Sequence, residues 1–156
     1  MLQLTMTGEY AVRAMMHLAT LPPGTTVQIA DIAREWDVPE VFLRKIVTQL
    51  SRKGLIASYR GKGGGVALGR EAEAITLLDV IECVEGPMAL NACLTNPGIC
   101  HRIPFCAVHA VWHEAQSKLR EVLTSRSLAD LAGHHVLGCR SDVALDASIL
   151  VPTDPL

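Results

Sequence analysis

Apolar residues recur at helical spacing over the first 36 positions of the chain. TGEYAVRAMMHLATL has apolar residues every three or four positions, which predicts an amphipathic helix that starts at the N-cap Thr7 and ends before the PPG sequence at 22–24. VQIADIAREW predicts a short second helix, and DVPE predicts the turn that follows it. A helix, a short helix and a tight turn form the opening of a helix-turn-helix unit.

A third helix, predicted in PEVFLRKIVTQLSRKG, completes that unit from Pro39 at its first position to Gly54 at its end. Its inward face holds Phe42 or Leu43, followed by apolar residues at 46, 47 and 50. The outward face of this helix is polar. Its side chains would either merely solubilise the helix or contact base edges and phosphates of DNA. The outward residues are Glu40, Arg44, Lys45, Thr48, Gln49 and Arg52.

The next segment, LIASYRGKGGGVALG, predicts a β-hairpin with a glycine-rich turn. It lacks the G-x-x-x-x-G-K-[ST] pattern of a nucleotide phosphate loop. A hairpin placed directly after a recognition helix is typical of the wing of a winged helix, and Arg60 and Lys62 would lie at its tip. We therefore predict a mainly α fold with a small β wing, in which the third helix and the wing contact DNA.

The second half of the chain predicts more helices. TLLDVIECVEG is a fourth helix with Thr76 as its cap and Cys83 as a buried core thiol, and SLADLA is a last short helix. Between them, a long helix from Cys106 to about Thr124 has a broad apolar stripe, which suits either core packing or the pairing of two subunits. The stripe consists of Val108, Val111, Trp112, Ala115, Leu119, Val122 and Leu123.

Three parts of the chain follow from this pattern. Residues 1–75 form the DNA-binding domain, and residues 76–132 a cysteine-containing loop with dimerisation helices. Residues 133–156 are expected to be a flexible tail, in which His134, His135 and Cys139 are not expected to bind metal.

Charge is distributed unevenly along the chain, although its formal net value is only −2. Residues 34–70 have a net charge of +5, whereas residues 71–156 have a net charge of −6. Such a local positive field is either an ordinary solvated face or the footprint of a polyanion such as DNA.

The chain shows no long apolar run and no secretion signal, so we expect a cytoplasmic protein without a membrane partner. Thiols stay reduced in the cytosol. Three cysteines lie within CLTNPGICHRIPFC, with the spacing C-x6-C-x5-C at Cys93, Cys100 and Cys106. Structural zinc sites favour closer pairs, and wider gaps suit a loop around an iron–sulfur cluster. The spacing alone leaves a metal site and three unligated cysteines equally open.

Four motifs in the same order resemble the Rrf family of winged-helix regulators, over about residues 1–132. They are LTMTGEYAVRAM, IADIAREWDVPEVFLRKIVTQLSRKGLI, YRGKGGGVALG and the three cysteines. The resemblance implies a homodimer that binds a palindromic operator in double-stranded DNA, in the role of a repressor. It also implies an iron–sulfur cluster, ligated by the three cysteines, that senses iron–sulfur status, nitric oxide or redox stress.

Members of this family supply the fourth ligand in different ways. His109 lies in C-x-x-H with Cys106, an arrangement that resembles IscR-type members and favours a 2Fe-2S over a 4Fe-4S cluster. Glu9 matches the acidic residue that NsrR-type members provide from the partner subunit, and it is the alternative ligand; His101 is a weaker candidate. The chain departs from the family in its six-residue first gap, and in Arg44 where IscR has a glutamate.

Two other functions compete with the cluster sensor. The first is a winged-helix regulator whose cysteines bind zinc or act as a thiol switch. The second is an electron carrier or an enzyme, against which the chain shows no nucleotide loop, no nucleophile–base pair and no substrate motif.

Overall fold

The computed structural model of the protein describes residues 4–133, so the predictions for His134, His135, Cys139 and the tail fall outside the described residues. The fold is mainly helical with one small sheet, as predicted. Its α-helices are α1 (Met6–Ala19), α2 (Ile29–Glu35), α3 (Glu40–Arg52), α4 (Leu77–Glu85), α5 (Ala92–Thr95), α6 (Ala107–Thr124) and α7 (Leu128–Gly133). Its strands are β1 (Ile56–Tyr59) and β2 (Gly65–Leu68), and single 3-10 turns occupy Ala72–Ala74, Pro97–Ile99 and Ile103–Phe105.

At two helix starts the N-cap differs from the prediction. The cap of α1 is Thr5, not Thr7, because the Thr5 hydroxyl accepts hydrogen bonds from the backbone N–H of Thr7 and Gly8. Pro39 is the N-cap of α3 rather than its first residue, with an extended ψ of 122°. Each prediction was one or two residues out, which is the usual uncertainty of helix ends.

The inward face of α3 is built on Leu43, which is fully buried, and not on Phe42, which is 55% exposed. Ile46, Val47 and Leu50 follow it into the core as predicted. The helix ends at Arg52, and Gly54 comes two residues later with a φ of +70°. This left-handed conformation costs glycine little, so Gly54 turns the chain from α3 into β1.

The wing is an antiparallel pair in which Ile56 lies opposite Leu68 and Tyr59 opposite Gly65. Val27, which precedes α2, joins its inner edge through reciprocal backbone hydrogen bonds with Val66, at 3.0 and 2.9 Å. The approach is close at Gly65, where a Cβ atom would lie 2.6 Å from the carbonyl oxygen of Val27. A glycine is therefore required where the wing meets the helix-turn-helix unit.

One hydrophobic core crosses the boundary at residue 75. It combines Met15, Leu43 and Leu50 from the first part of the chain with Val80 and Leu128 from the second. The last of these is fully buried on α7, beyond the long helix α6. The winged helix and the helices after it therefore share their apolar interior.

The starts of α4 and α7 are joined and capped alike. Thr76 caps α4 by accepting from the backbone N–H of Asp79 at 3.1 Å, and Ser127 accepts from that of Asp130 over the same distance. Thr76 and Ser127 also form an antiparallel β-bridge. The chain therefore returns to the start of α4 after α6 ends.

Candidate nucleic-acid interface and cysteine connector

The outward face of α3 presents the predicted DNA-contacting side chains to solvent, apart from Glu40, which is half-buried. Arg44 donates through Nε to Glu40 Oε1 at 2.8 Å, and Thr48 Oγ1 donates to the carbonyl oxygen of Arg44 at 2.9 Å. The exposed pair between Glu40 and Arg44 contributes little to stability. Its effect is to orient the guanidinium group along the exposed face of α3.

Two apolar side chains lie on the same face, to which the sequence pattern assigned only polar residues. Val41 is 68% exposed and Phe42 is 55% exposed, and the ammonium group of Lys45 lies 5.8 Å from the Phe42 ring centroid. Apolar side chains beside cations suit a DNA major groove, where thymine methyl groups lie next to hydrogen-bonding base edges. In the sequence, the charged residues near Phe42, which are Glu40, Arg44 and Lys45, could have indicated that this side chain is exposed.

The tip of the wing lies in the turn between β1 and β2, where Arg60 and Lys62 are both exposed. Thr26 Oγ1 donates to the carbonyl oxygen of Gly63 at 3.1 Å, and Gln28 Nε2 donates to that of Gly64. These bonds fix the tip to the segment that enters α2. The tip of the wing is therefore held against the helix-turn-helix unit, and both carry exposed cations.

A hydrogen bond between side chains joins α1 to the end of α2. The indole Nε1–H of Trp36 donates to Nδ1 of His17 at 3.0 Å. This geometry requires an unprotonated Nδ1. Partial burial lowers the pKa of His17, and the carboxylates of Glu35 and Asp31 oppose that shift less strongly. His17 is therefore neutral in the folded protein near pH 7.

Acidification is expected to destabilise the fold through His17. The pKa of a free histidine is about 6.5 and that of the folded state is lower, so the unfolded state binds more protons below pH 6.5. The stabilising contribution of neutral His17 is complete above pH 6.5 and is lost as pH falls toward the folded pKa. Urea unfolding of wild type and His17→Gln between pH 7 and 5 measures this. Equal pH slopes in the two proteins would contradict the assignment.

The connector between α4 and α6, residues 86–106, contains the three clustered cysteines. Cys93 lies on α5, Cys100 follows the 3-10 turn Pro97–Ile99, and Cys106 is the N-cap of α6. All three thiols are free and half-buried. Within residues 4–133, no three His, Cys, Asp or Glu side chains converge on a common position for a metal ion.

The two candidates for a fourth ligand lie on different helices. His109 is half-buried in the first turn of α6, and its backbone N–H donates to the carbonyl oxygen of Cys106 at 3.1 Å. Glu9, on α1, forms an ion pair with Arg13 at 3.5 Å. His101 is exposed in the connector. His109 is thus three residues from Cys106 along the chain, whereas Glu9 is remote from all three clustered cysteines in sequence.

Cys83 is half-buried, not fully buried as predicted, and packs against the core from α4. Its Sγ lies 3.7 Å from the carbonyl oxygen of Gln49 on α3. Burial raises the pKa of this thiol, and the nearby ammonium group of Lys53 partly offsets the effect. Cys83 therefore remains a neutral thiol at the contact between α4 and the recognition helix.

The start of the connector is fixed to both flanking helices. Glu82 Oε1 on α4 accepts from the backbone N–H of Met88 at 3.0 Å and from the guanidinium group of Arg120 on α6. Two residues further on, the backbone N–H of Leu90 donates to Oε1 of Gln116 at 3.0 Å. Sequence reasoning missed this set, because its members are far apart in the chain.

The apolar stripe of α6 is only partly covered. Leu119 and Leu123 are half-buried and line a groove with Ile81 of α4. Val111 is 63% exposed and Val122 is 59% exposed. The uncovered part of the stripe also includes Val108, Trp112 and Ala115.

No helix within residues 4–133 has the length and apolar character needed to cross a membrane.

Comparisons with known proteins agree with the winged-helix fold and its exposed cations. Rv1287 of Mycobacterium tuberculosis H37Rv, named as an HTH-type transcriptional regulator, is 38% identical over 126 residues, which cover 81% of this chain and 78% of that protein.

Solved structures of similar proteins cover most of the chain. CymR, the global cysteine regulator of B. subtilis, superposes with a TM-score of 0.75 and 30% identity, covering 87% of this chain and 100% of that one. IscR of T. potens gives a TM-score of 0.70 and 29% identity, over 85% of this chain and 88% of that one.

Residues 4–134 match the Rrf2 family, described as an iron-dependent transcriptional regulator. This match covers both the winged helix and the cysteine connector. The chain therefore belongs to the Rrf2 family: it is a winged-helix transcriptional regulator and not an enzyme.

Proposed function

We propose that this regulator binds a palindromic operator as a homodimer, and that an iron–sulfur cluster held by the connector controls its DNA affinity. The observation that carries the proposal is the position of three free, half-buried thiols between α4 and α6. Helix α4 packs on the recognition helix, and α6 has an uncovered apolar stripe. A change in the connector would therefore act on both the DNA-binding face and the subunit interface.

DNA binding is supported by the surface that α3 and the wing form together. Arg44, Lys45 and Arg52 on the helix are exposed, and so are Arg60 and Lys62 on the wing. Lysine and arginine at the edges of such a surface neutralise phosphates, whereas the centre of a recognition helix contacts bases. We propose that Arg44 and Phe42 contact bases and that the wing cations contact the backbone.

Removing a wing cation should weaken binding to all DNA sequences alike. Arg60→Ala is expected to lower the slope of log Kd against log salt by about 0.9, because one fewer counterion is released. Fluorescence anisotropy at four salt concentrations, with operator and unrelated DNA, measures the slope. Lys118→Ala is the matched control, since Lys118 lies on α6 and pairs with Glu121. An unchanged slope in Arg60→Ala would place the wing off the DNA.

The donor set fits an iron–sulfur cluster by its chemistry. Three thiols and one imidazole, from Cys93, Cys100, Cys106 and His109, are ligands that such clusters accept in proteins. When bound, a cluster supplies reversible redox chemistry and reactivity toward oxidants and nitric oxide. The chain's own part is to provide thiolates on a connector built of single short turns, which can adjust to a ligand more easily than a long helix.

An anaerobic visible spectrum after reconstitution with iron and sulfide tests the cofactor. Charge-transfer absorption supports the cluster, and a colourless protein that binds zinc rejects it. Operator footprinting with and without the cluster then tests control, because a ligand shifts DNA affinity only through its different affinities for the two protein states.

The second candidate is a thiol switch without a cluster. It agrees with the arrangement of the donors, since no three donor side chains among residues 4–133 converge on one metal position. It is also favoured by the likeness to CymR, the global cysteine regulator. Operator affinity that responds to peroxide and dithiothreitol in metal-free protein would support this alternative.

A further inference from the structure

We propose that Glu82 is a positioning residue that couples the connector and α6 to the recognition helix. The role of this coupling in controlling DNA affinity rests on the proposed function, but the contacts of Glu82 do not require a cluster. It concerns one carboxylate on α4 that contacts two other parts of the molecule, the first residues of the connector and α6.

The contacts of Glu82 link the position of α4 to the positions of the connector and α6. One carboxylate oxygen accepts both the backbone N–H of Met88, at 3.0 Å, and the guanidinium group of Arg120. The other accepts from Nη2 of Arg120 at 3.4 Å. The carboxylate is only 25% exposed, so solvent screens this pair less than an ordinary surface pair.

Helix α6 carries the side chains that bond to Glu82 and to the start of the connector. His109, Gln116 and Arg120 are half-buried, and spacings of seven and four residues align them along one face of the helix. Gln116 accepts from the backbone N–H of Leu90, while Arg120 bonds to Glu82. A single helix face therefore runs from the proposed ligand His109 to the two side chains that fix the start of the connector.

Helix α4 continues this path to the DNA-binding face. Cys83, the next residue after Glu82, places its Sγ 3.7 Å from the carbonyl oxygen of Gln49 on α3. Val80, one turn earlier, is fully buried in the core that Leu50 of α3 shares. A displacement of α6 that reaches Glu82 would thus be passed to the last turns of the recognition helix. Coupling of this kind needs packed, contiguous elements. The connector contacts α4 and α6, these two helices contact each other, and α4 contacts α3.

Hydrogen–deuterium exchange on the full chain tests the coupling without any cofactor. Glu82→Gln keeps an acceptor for Met88 but loses the ion pair with Arg120. We expect at least threefold faster exchange in residues 46–52 of α3, with unchanged exchange in α2 and the wing. Lys118→Met, which removes the exposed pair with Glu121 on the same helix, should match wild type.

A charge swap separates coupling from general loosening. Glu82→Arg combined with Arg120→Glu restores the pair while removing the acceptor for Met88, so α3 should regain its protection. Failure to regain it would overturn the inference. So would faster exchange confined to the connector, no change in Glu82→Gln, or an equal increase throughout the protein.

The same variants distinguish this inference from the proposed function. If wild type forms a cluster, the ratio of operator affinities with and without it should fall at least threefold in Glu82→Gln, with an unchanged visible spectrum. An unchanged ratio overturns the inference. If wild type forms no cluster, the proposed function fails, and the exchange measurements alone decide on Glu82.

Discussion

Alanine at Cys93, Cys100 or Cys106 is expected to leave the protein colourless, or nearly so, after anaerobic reconstitution with iron and sulfide. Loss of one thiolate from a three-cysteine set leaves iron open to solvent and exchange, so cluster yield should fall at least tenfold in each variant. Cys83→Ala is the matched control, because Cys83 is also a half-buried, free thiol but lies on α4 against the core. Visible absorption and iron content measure the yield.

The fourth ligand should be identified by two further substitutions. If His109 binds the cluster, His109→Ala should change the spectrum and His109→Cys should retain a cluster of lower potential, because thiolate donates more strongly than imidazole. If Glu9 is the ligand, Glu9→Ala should cause the loss and His109→Ala should not.

The ligand assignment can fail in two separate ways. Normal clusters in both His109→Ala and Glu9→Ala would leave His101, water or an added small ligand in the fourth position. Full cluster yield in any of the three cysteine variants would refute the proposed cysteine set itself. In that case a thiol switch would become the leading function.

A charged residue on the uncovered stripe of α6 should separate the subunits. Val111→Asp is expected to give a monomer, because Val111 is 63% exposed in the single chain and would be desolvated in a dimer. Operator affinity should then fall by about 10²- to 10⁴-fold, since two half-sites are no longer bound by linked units. Sedimentation velocity and anisotropy measure the two effects.

Ser117→Asp is the control for this experiment, because Ser117 is an exposed polar residue of α6 outside the stripe. It should remain a dimer and bind the operator as wild type does. Leu119 is a poorer test, since it is half-buried beside α4 and a charge there would also disturb the single chain. A Val111→Asp protein that stays dimeric would place the interface elsewhere.

Periodicity in the sequence located the helices well but could not choose between neighbouring residues. Phe42 and Leu43 both fitted the inward face of the third helix, and only packing shows that Leu43 enters the core while Phe42 stays outside. Thr5 and Thr7 are both good capping residues, and the backbone path decides between them. Such choices depend on contacts with elements that periodicity does not describe.

The candidate site was predictable to the extent that it is local in sequence. The exposed cations of α3 and the wing lie where the charge pattern indicated. The contact between Glu82 and Arg120 joins residues 38 positions apart. The sequence of two amphipathic helices does not show which charged residue of one helix pairs with which residue of the other. The half-buried state of Cys83 likewise depends on how α3 lies against α4.

The β-bridge between Thr76 and Ser127 has a consequence for building hybrid regulators. Because α7 returns to the start of α4 and buries Leu128 in the shared core, it belongs to the DNA-binding unit in space although it follows α6 in sequence. A chimaera that exchanges the C-terminal half of two relatives at residue 75 alone would therefore place a foreign α7 in the native core. Exchanging only the segment between the two bridge residues would keep α7 and Leu128 with their native winged helix, although α4 and its Val80 would still be exchanged.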